Sequence, residues 1–149
     1  MMTAIQRFRV EWAHCDPAGI IFNPNYYLWM DSGTHALLQA AGFDLIGNTH
    51  NDELFRGCPL VASNMEFKAP LYFGDIAVLT SRVEKFGHTS FVVAHEFRRG
   101  DEPKPVATGS EVRVWGYSDA AEPRKLIAIP VPDDVRAMLS VEKTVDVTV

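Results

Sequence analysis

Cysteine is scarce in this chain: Cys15 and Cys58 are the full complement among 149 residues. One pair cannot supply the disulfide framework on which small secreted domains rely. No uninterrupted apolar run approaches the ~20 residues of a membrane-spanning helix. The opening segment, Met1-Met2-Thr3-Ala4-Ile5-Gln6-Arg7, lacks the apolar core of a secretory signal. Reduced thiols and a cytoplasmic setting are therefore expected. Basic charge is not in excess. Lys and Arg total 14 against 19 Asp and Glu, a net charge of −5, which argues against a nucleic-acid surface. His14, His35, His50, His88 and His95 form no HxxxH pair and the cysteines no CxxC, so no zinc signature is present. Repeats and domain linkers are absent too.

What remains is the composition of a globular chain, 47% hydrophobic and 22% charged. One domain over residues 1–149 is expected, with 141–149 as a loose tail. From Ile5 to Trp12 the side chains alternate, with Phe8, Val10 and Trp12 on one face and Arg7, Arg9 and Glu11 on the other. That period of two predicts a strand. Asn23 as N-cap and Pro24 as first residue predict a helix running to about Ala41, stopped by Gly42. Its first turns, Tyr26-Tyr27-Leu28-Trp29-Met30, are apolar all round, which predicts burial on every side. Residues 43–57 are polar and turn-rich and read as a loop with at most a short helical turn. Strands are expected near Leu60–Lys68, Ile76–Phe86, Ser90–Arg98, Val106–Tyr117 and Leu126–Ile129. In the fourth of these, Val112 and Val114 alternate with Glu111, Arg113 and Trp115, as in a half-buried antiparallel strand. A short helix near Asp133–Leu139 follows Pro132. The fold class is α+β.

Chemistry concentrates in one segment, Asp16-Pro17-Ala18-Gly19-Ile20-Ile21-Phe22-Asn23-Pro24-Asn25-Tyr26. A carboxylate on a Pro/Gly turn precedes a helix start by seven residues. That start presents unpaired N–H groups and the positive end of the helix dipole. Donors of this kind stabilise a carbonyl oxygen that gains charge, while the carboxylate attacks the carbon or activates water. The plain alternative is turn chemistry and capping.

Residues 8–31, from Phe8-Arg9-Val10-Glu11-Trp12 to Leu28-Trp29-Met30-Asp31, resemble the N-terminal signature of the 4-hydroxybenzoyl-CoA thioesterase family. Cys15-Asp16-Pro17-Ala18-Gly19-Ile20 and Pro24-Asn25-Tyr26 carry the likeness, and a weaker one covers most of residues 5–130. The resemblance implies the hot-dog fold, a curved antiparallel sheet wrapped around one long central helix. It implies subunits paired sheet edge to sheet edge in a homotetramer, a dimer of dimers. It implies an acyl-CoA thioesterase releasing a carboxylic acid and free CoA, with aromatic acyl groups such as 4-hydroxybenzoyl-CoA favoured. Coenzyme A is then part of the substrate and no separate cofactor is needed. By the same resemblance Asp16 is the catalytic carboxylate, nucleophile or general base, and the backbone N–H of Asn23 the main oxyanion donor. Related branches carry histidine seven residues after the aspartate, so Asn23 favours the 4-hydroxybenzoyl-CoA-like branch. Pro17, Gly19, Ile20, Asn25 and Tyr26 match the motif as candidate substrate contacts, with packing and turn roles as an equal reading.

The phosphates of CoA call for basic groups at the pocket mouth. The family's basic cluster before a Ser-Phe pair is missing from Phe86-Gly87-His88-Thr89-Ser90-Phe91. Nearby basic candidates are Lys85, Arg98, Arg99, Arg124 and Lys125, each also readable as a solvated surface charge, with the backbone N–H groups of Gly87 and Thr89 as the alternative. His14 reads as a neighbour packing near the turn. Cys15 reads as packing, because successive side chains of an extended segment point apart. Two other functions stay open: a non-catalytic acyl-CoA or acyl-carrier binding protein, and an enoyl-CoA hydratase of the same fold. The hydratase would use Asp31 and His35, four apart on the helix, where a local hydrogen bond is the plainer reading.

Overall fold

The computed structural model describes residues 1–148. Strand β1, Met2–Arg9, buries Met2 and Ala4 and turns Arg7 and Arg9 to water. It ends earlier than the alternation predicts. After Val10 the chain leaves the sheet, and a single 3-10 turn at Trp12–His14 leaves Trp12 68% exposed. Trp12 therefore does not share the inward face of Phe8 and Val10. Its ring meets Phe73 edge-on at 5.5 Å instead.

Helix α1, Pro24–Ala40, has the expected limits: Pro24 opens it, and Gly42 follows at φ 91°. Helix α2, Leu45–Asn51, occupies much of the expected loop, with the Asp44 carboxylate accepting the Gly47 N–H at 2.9 Å. Then come β2 (Leu60–Phe67), β3 (Ile76–Phe86), β4 (Ser90–Arg99), β5 (Pro105–Ser118), β6 (Leu126–Ile129), α3 (Asp133–Leu139) and β7 (Lys143–Asp146). The tail is not loose throughout, since β7 pairs parallel with β1. Its last residue, Val149, lies outside the described residues.

Among the described residues the strands form one sheet in the order β2-β5-β4-β3-β1-β7, with β6 pairing the far end of β5. All pairings except β1 with β7 are antiparallel. Register shifts at Leu60/Ala62, Val83/Lys85 and Phe97/Arg98 add bend and twist. The curved sheet takes α1 on its inner face. Close approach needs glycine at two points. A Cβ on Gly33 would stand 2.5 Å from the Ser81 hydroxyl, and one on Gly109 would stand 2.5 Å from the Met30 sulfur.

Two apolar clusters lie under the two ends of α1. Tyr26, Trp29, Met30, Leu79 and Phe97 belong to one, and Leu37, Leu38, Val83, Phe91, Val93 and Trp115 to the other. Each fully buried large side chain contributes about 1.5–3 kcal/mol. The helix is not buried all round, however. The sheet covers one side, and Tyr27 and Leu28 remain 39% and 66% exposed.

Between the clusters runs a buried polar seam. Each element supplies it at the inward position between its two apolar groups: Thr34 on α1, Ser81 on β3, His95 on β4, and Glu111 and Arg113 on β5. On β5 the expected alternation holds, and the structure assigns its faces. Glu111, Arg113 and Trp115 point in, and Val112 and Val114 lie on the half-exposed outer face. The charges tolerate burial because they satisfy one another. His95 Nε2 lies 2.9 Å from Glu111 Oε1, and Ser81 Oγ 2.8 Å from His95 Nδ1. The Thr34 hydroxyl donates to Glu111. Arg113 donates to Glu111 at 2.6 Å and to Asp31 at 2.7 Å. Burial pushes the Glu111 carboxyl up, but the His95 and Thr34 hydrogen bonds and the Arg113 charge outweigh it and hold it down at about 2.

Candidate active site

Asp16 sits at the base of a tight hairpin that follows the 3-10 turn. The sequence Asp16-Pro17-Ala18-Gly19 suits a β-turn, with Asp first, Pro second and Gly last. The Gly19 N–H donates to the Asp16 carbonyl at 2.9 Å, and Gly19 adopts φ 77°. Outside that turn the Asp16 N–H donates to Ile20 (2.9 Å) and the Phe22 N–H to His14 (2.9 Å). The hairpin is stitched to the segment after β2: Ile21 N–H to Leu71 at 3.1 Å and Phe73 N–H to Gly19 at 3.1 Å. Asp16 itself is half-buried, and its Oδ1 accepts the Ala18 N–H at 2.8 Å. The other carboxylate oxygen has no hydrogen bond among the described residues.

The helix start departs from expectation in one respect. Asn23 is already helical, φ −48° and ψ −41°, and its side chain makes no cap. A capping side chain reaches back from an extended backbone, which Asn23 does not have. Backbone bonds serve instead: the Asn25 N–H donates to Phe22 at 3.0 Å and the Tyr26 N–H to Asn23 at 3.1 Å. Pro24 has no N–H. The Asn23 N–H is therefore left without a partner among the described residues, at the positive end of α1.

A cavity of about 240 Å³ opens here, lined by Ile20, Ile21, Asn23, Tyr26, Phe67 and Leu71 among others. Tyr26 forms its wall, with ring centroids 5.2 Å from Phe67 and 5.1 Å from Phe97. Burial, opposed by the Leu71 backbone, pushes the Tyr26 phenol up to about 12, so it stays neutral at physiological pH. Of the other motif residues, Ile20 lines the cavity and Pro17 and Gly19 build the turn. The Asn25 amide points back into the protein and donates to the His14 carbonyl at 2.7 Å. The His14 Nδ1 accepts the Glu11 N–H at 2.8 Å while its ring meets Trp29 edge-on at 5.2 Å. Cys15 is half-buried against the cluster that holds Trp29.

Within one copy of the chain Lys85, Gly87 and Thr89 are remote from Asp16. Lys85, Gly87 and Thr89 lie at the far tip of the β3–β4 hairpin, whereas the Asp16 hairpin adjoins the Asp75 end of β3, roughly 35 Å away along an 11-residue strand. The Gly87 N–H donates to Ser90 at 2.7 Å and so is not free for a phosphate. Arg136 is also at that tip, but it donates to the Gly87 and His88 carbonyls at 2.6 and 2.8 Å. The expected Asp31–His35 hydrogen bond is not made: the two side chains stand 3.7 Å apart, beyond hydrogen-bond length, and the short bond of Asp31 goes to Arg113. The seam partners Glu111, Arg113 and His95 escape the apolar-in pattern. The available signal was that Glu111 and Arg113 share a strand face with Trp115.

Known proteins share this architecture. The model of the thioesterase superfamily matches residues 18–115. The chain belongs to the thioesterase superfamily. This thioesterase is 30% identical over 129 residues to the 4-hydroxybenzoyl-CoA thioesterase of Pseudomonas sp. (strain CBS-3), covering 85% of this chain and 89% of that protein. A 4-hydroxybenzoyl-CoA thioesterase aspartate-to-asparagine mutant, solved in complex with 4-hydroxybenzoyl-CoA, superposes with TM-score 0.84 at 27% identity, over 93% of this chain and 99% of the other. The structure of a gentisyl-coenzyme A thioesterase superposes with TM-score 0.74 at 32% identity, over 92% and 99%. The curved sheet around α1 is thus the hot-dog fold of this superfamily, and the thioesterase is a thioester hydrolase acting on acyl-CoA.

Proposed function

We propose that this thioesterase hydrolyses aromatic acyl-CoA thioesters, with the Asp16 carboxylate and the Asn23 N–H as its reacting pair. The observation that carries this reading is the unpaired Asn23 N–H at the start of α1, following a hairpin that leaves one Asp16 oxygen uncommitted. In one route Asp16 attacks the thioester carbon, the C–S bond breaks, CoA leaves as thiolate, and water opens the resulting anhydride. In the other, Asp16 takes a proton from water, the hydroxide so formed attacks the same carbon, and the C–S bond breaks to release CoA as thiolate. Either route places negative charge on the carbonyl oxygen, where a preorganised N–H is worth most. The cavity beside Asn23 is smaller than the ~300–1,000 Å³ of sites that enclose drug-sized ligands, so it suits a compact acyl group and leaves the CoA outside. Its wall includes Tyr26 and Phe67, and two relatives are named for aromatic acyl-CoA substrates.

The reading extends to an assembly. Strand β2 is an edge, and its Leu60, Val61 and Phe67 are 49%, 62% and 46% exposed. A long apolar edge invites a second strand. Two copies paired there, and two such dimers as a tetramer, would let the Lys85 hairpin of one copy approach the site of another. The test is free-thiol release across 4-hydroxybenzoyl-, benzoyl-, acetyl- and palmitoyl-CoA. Fastest turnover of the aromatic thioesters is expected. Preference for palmitoyl-CoA would overturn the aromatic reading, and binding without thiol release would make the protein an acyl-CoA carrier.

A further inference from the structure

Asn25 occupies the second position of α1, two residues after Asn23. The carbonyl that its amide grips belongs to His14, two residues before Asp16. Among the described residues this 2.7 Å bond is the one side-chain hydrogen bond between the Asp16 hairpin and α1. The His14 carbonyl also takes the Phe22 N–H at 2.9 Å, the bond that closes the hairpin. One oxygen therefore holds the hairpin shut and fastens it to the helix. The His14 ring is held as well, by the Glu11 N–H and by an edge-on contact with Trp29 of α1.

We infer that Asn25 is a positioning residue, setting the Asp16 carboxylate relative to the Asn23 N–H through its bond to the His14 carbonyl. The inference rests on the assignment of Asp16 and Asn23 above. Its logic is mechanical. The carboxylate rides on a two-stranded hairpin and the donor on a helix. Without the amide, the Phe22–Asn25 backbone turn would be the remaining hydrogen bond between the two at this corner. A displacement near 1 Å between reacting groups costs on the order of 100-fold in rate. The orientation of the amide also argues against direct substrate contact, because its donor is spent inside the protein.

The informative substitution is Asn25→Asp. It keeps the size and shape of the side chain and suits the helix, since a carboxylate in the first turn faces the positive end of the dipole. It removes the donor and sets a carboxylate oxygen against the His14 carbonyl. Asn25→Asp is expected to melt within a few degrees of the parent, with kcat reduced about 10- to 100-fold and KM within about threefold. Asn25→Ala should show the same split. In an Asp16→Asn background neither change should lower kcat much further, because effects routed through one group do not add. A raised KM at unchanged kcat would make Asn25 a substrate contact and overturn the inference. So would a lowered melting point with kcat intact. The outcomes are separable from those of the functional reading: full activity of Asp16→Asn removes that reading, whereas inactive Asp16→Asn beside normal Asn25→Asp removes this one alone.

Discussion

Replacing Glu111 by Gln tests whether the polar seam holds the core together. The substitution keeps the side-chain volume and removes one charge from the set Asp31, Arg113 and Glu111. The new amide turns an N–H either toward the Arg113 guanidinium, which cannot accept, or toward the Thr34 hydroxyl and His95 Nε2, which must then exchange donating for accepting. Removing one partner of a buried ion pair costs about 3–5 kcal/mol. Protonation gives an independent figure. The Glu111 carboxyl falls from an ordinary 4.5 to about 2, and at 1.36 kcal/mol per unit that is roughly 3 kcal/mol of stability. The sign follows from a depressed acid: the contribution is complete above about pH 4.5 and is lost as pH falls toward 2. The parent should therefore lose stability between those limits, and Glu111→Gln should lack that portion of the pH dependence. In a chain of this size 1 kcal/mol shifts the melting point by about 2–4 °C, so a drop of roughly 6–20 °C is expected. Thermal and urea unfolding followed by circular dichroism, from pH 2 to 7, provide the measurement. A variant within about 0.5 kcal/mol of the parent at pH 7 would refute the argument, because the seam would then contribute no more than an ordinary surface position.

Three further outcomes are expected. Asp16→Asn should lower turnover by at least about 100-fold with little change in substrate affinity, and near-normal thiol release would reduce Asp16 to a turn residue. Asn23→Ala should change both stability and turnover little, since the side chain caps nothing and the backbone N–H survives; a large kcat loss would assign the side chain a role. Gly33→Ala should cost about 1–3 kcal/mol in urea unfolding, because its new methyl meets the Ser81 hydroxyl at 2.5 Å, and an unchanged midpoint would mean that α1 rides higher on the sheet.

Much of the fold is legible in local signals. Pro24 and Gly42 bracket α1, and the limits of β3, β6 and α3 agree with the turn residues around them. The failures share a cause, which is that the deciding partner is remote in sequence. The alternation on β5 is legible but not which face turns inward: it is the one with Glu111 and Arg113, because Thr34, Asp31 and His95 are there to satisfy them. β7 cannot be seen in Lys143–Asp146 alone, since it exists as the neighbour of Met2–Ile5. Tyr27 and Leu28 read as core on a helix thought to be enclosed, but one curved sheet covers only one side. At the site, the Asp16 turn is written locally. The role of Asn25 is not, because its acceptor lies 11 residues back along the chain.

The place of β1 has a consequence for biosynthesis. Among the described strands it is translated before the others, yet its two neighbours are β3, at residues 76–82, and β7, at 143–146. From the moment it emerges, its backbone donors and acceptors wait through some seventy codons for one partner and through nearly as many again for the other. Loop closure over such spans slows acquisition of structure. A nascent chain halted before residue 143 would carry β1 with one flank bare. A ribosomal pause before β3 leaves both flanks of β1 bare and one between β3 and β7 leaves a single flank bare, so exposure to unwanted strand pairing falls in two steps as the partners emerge.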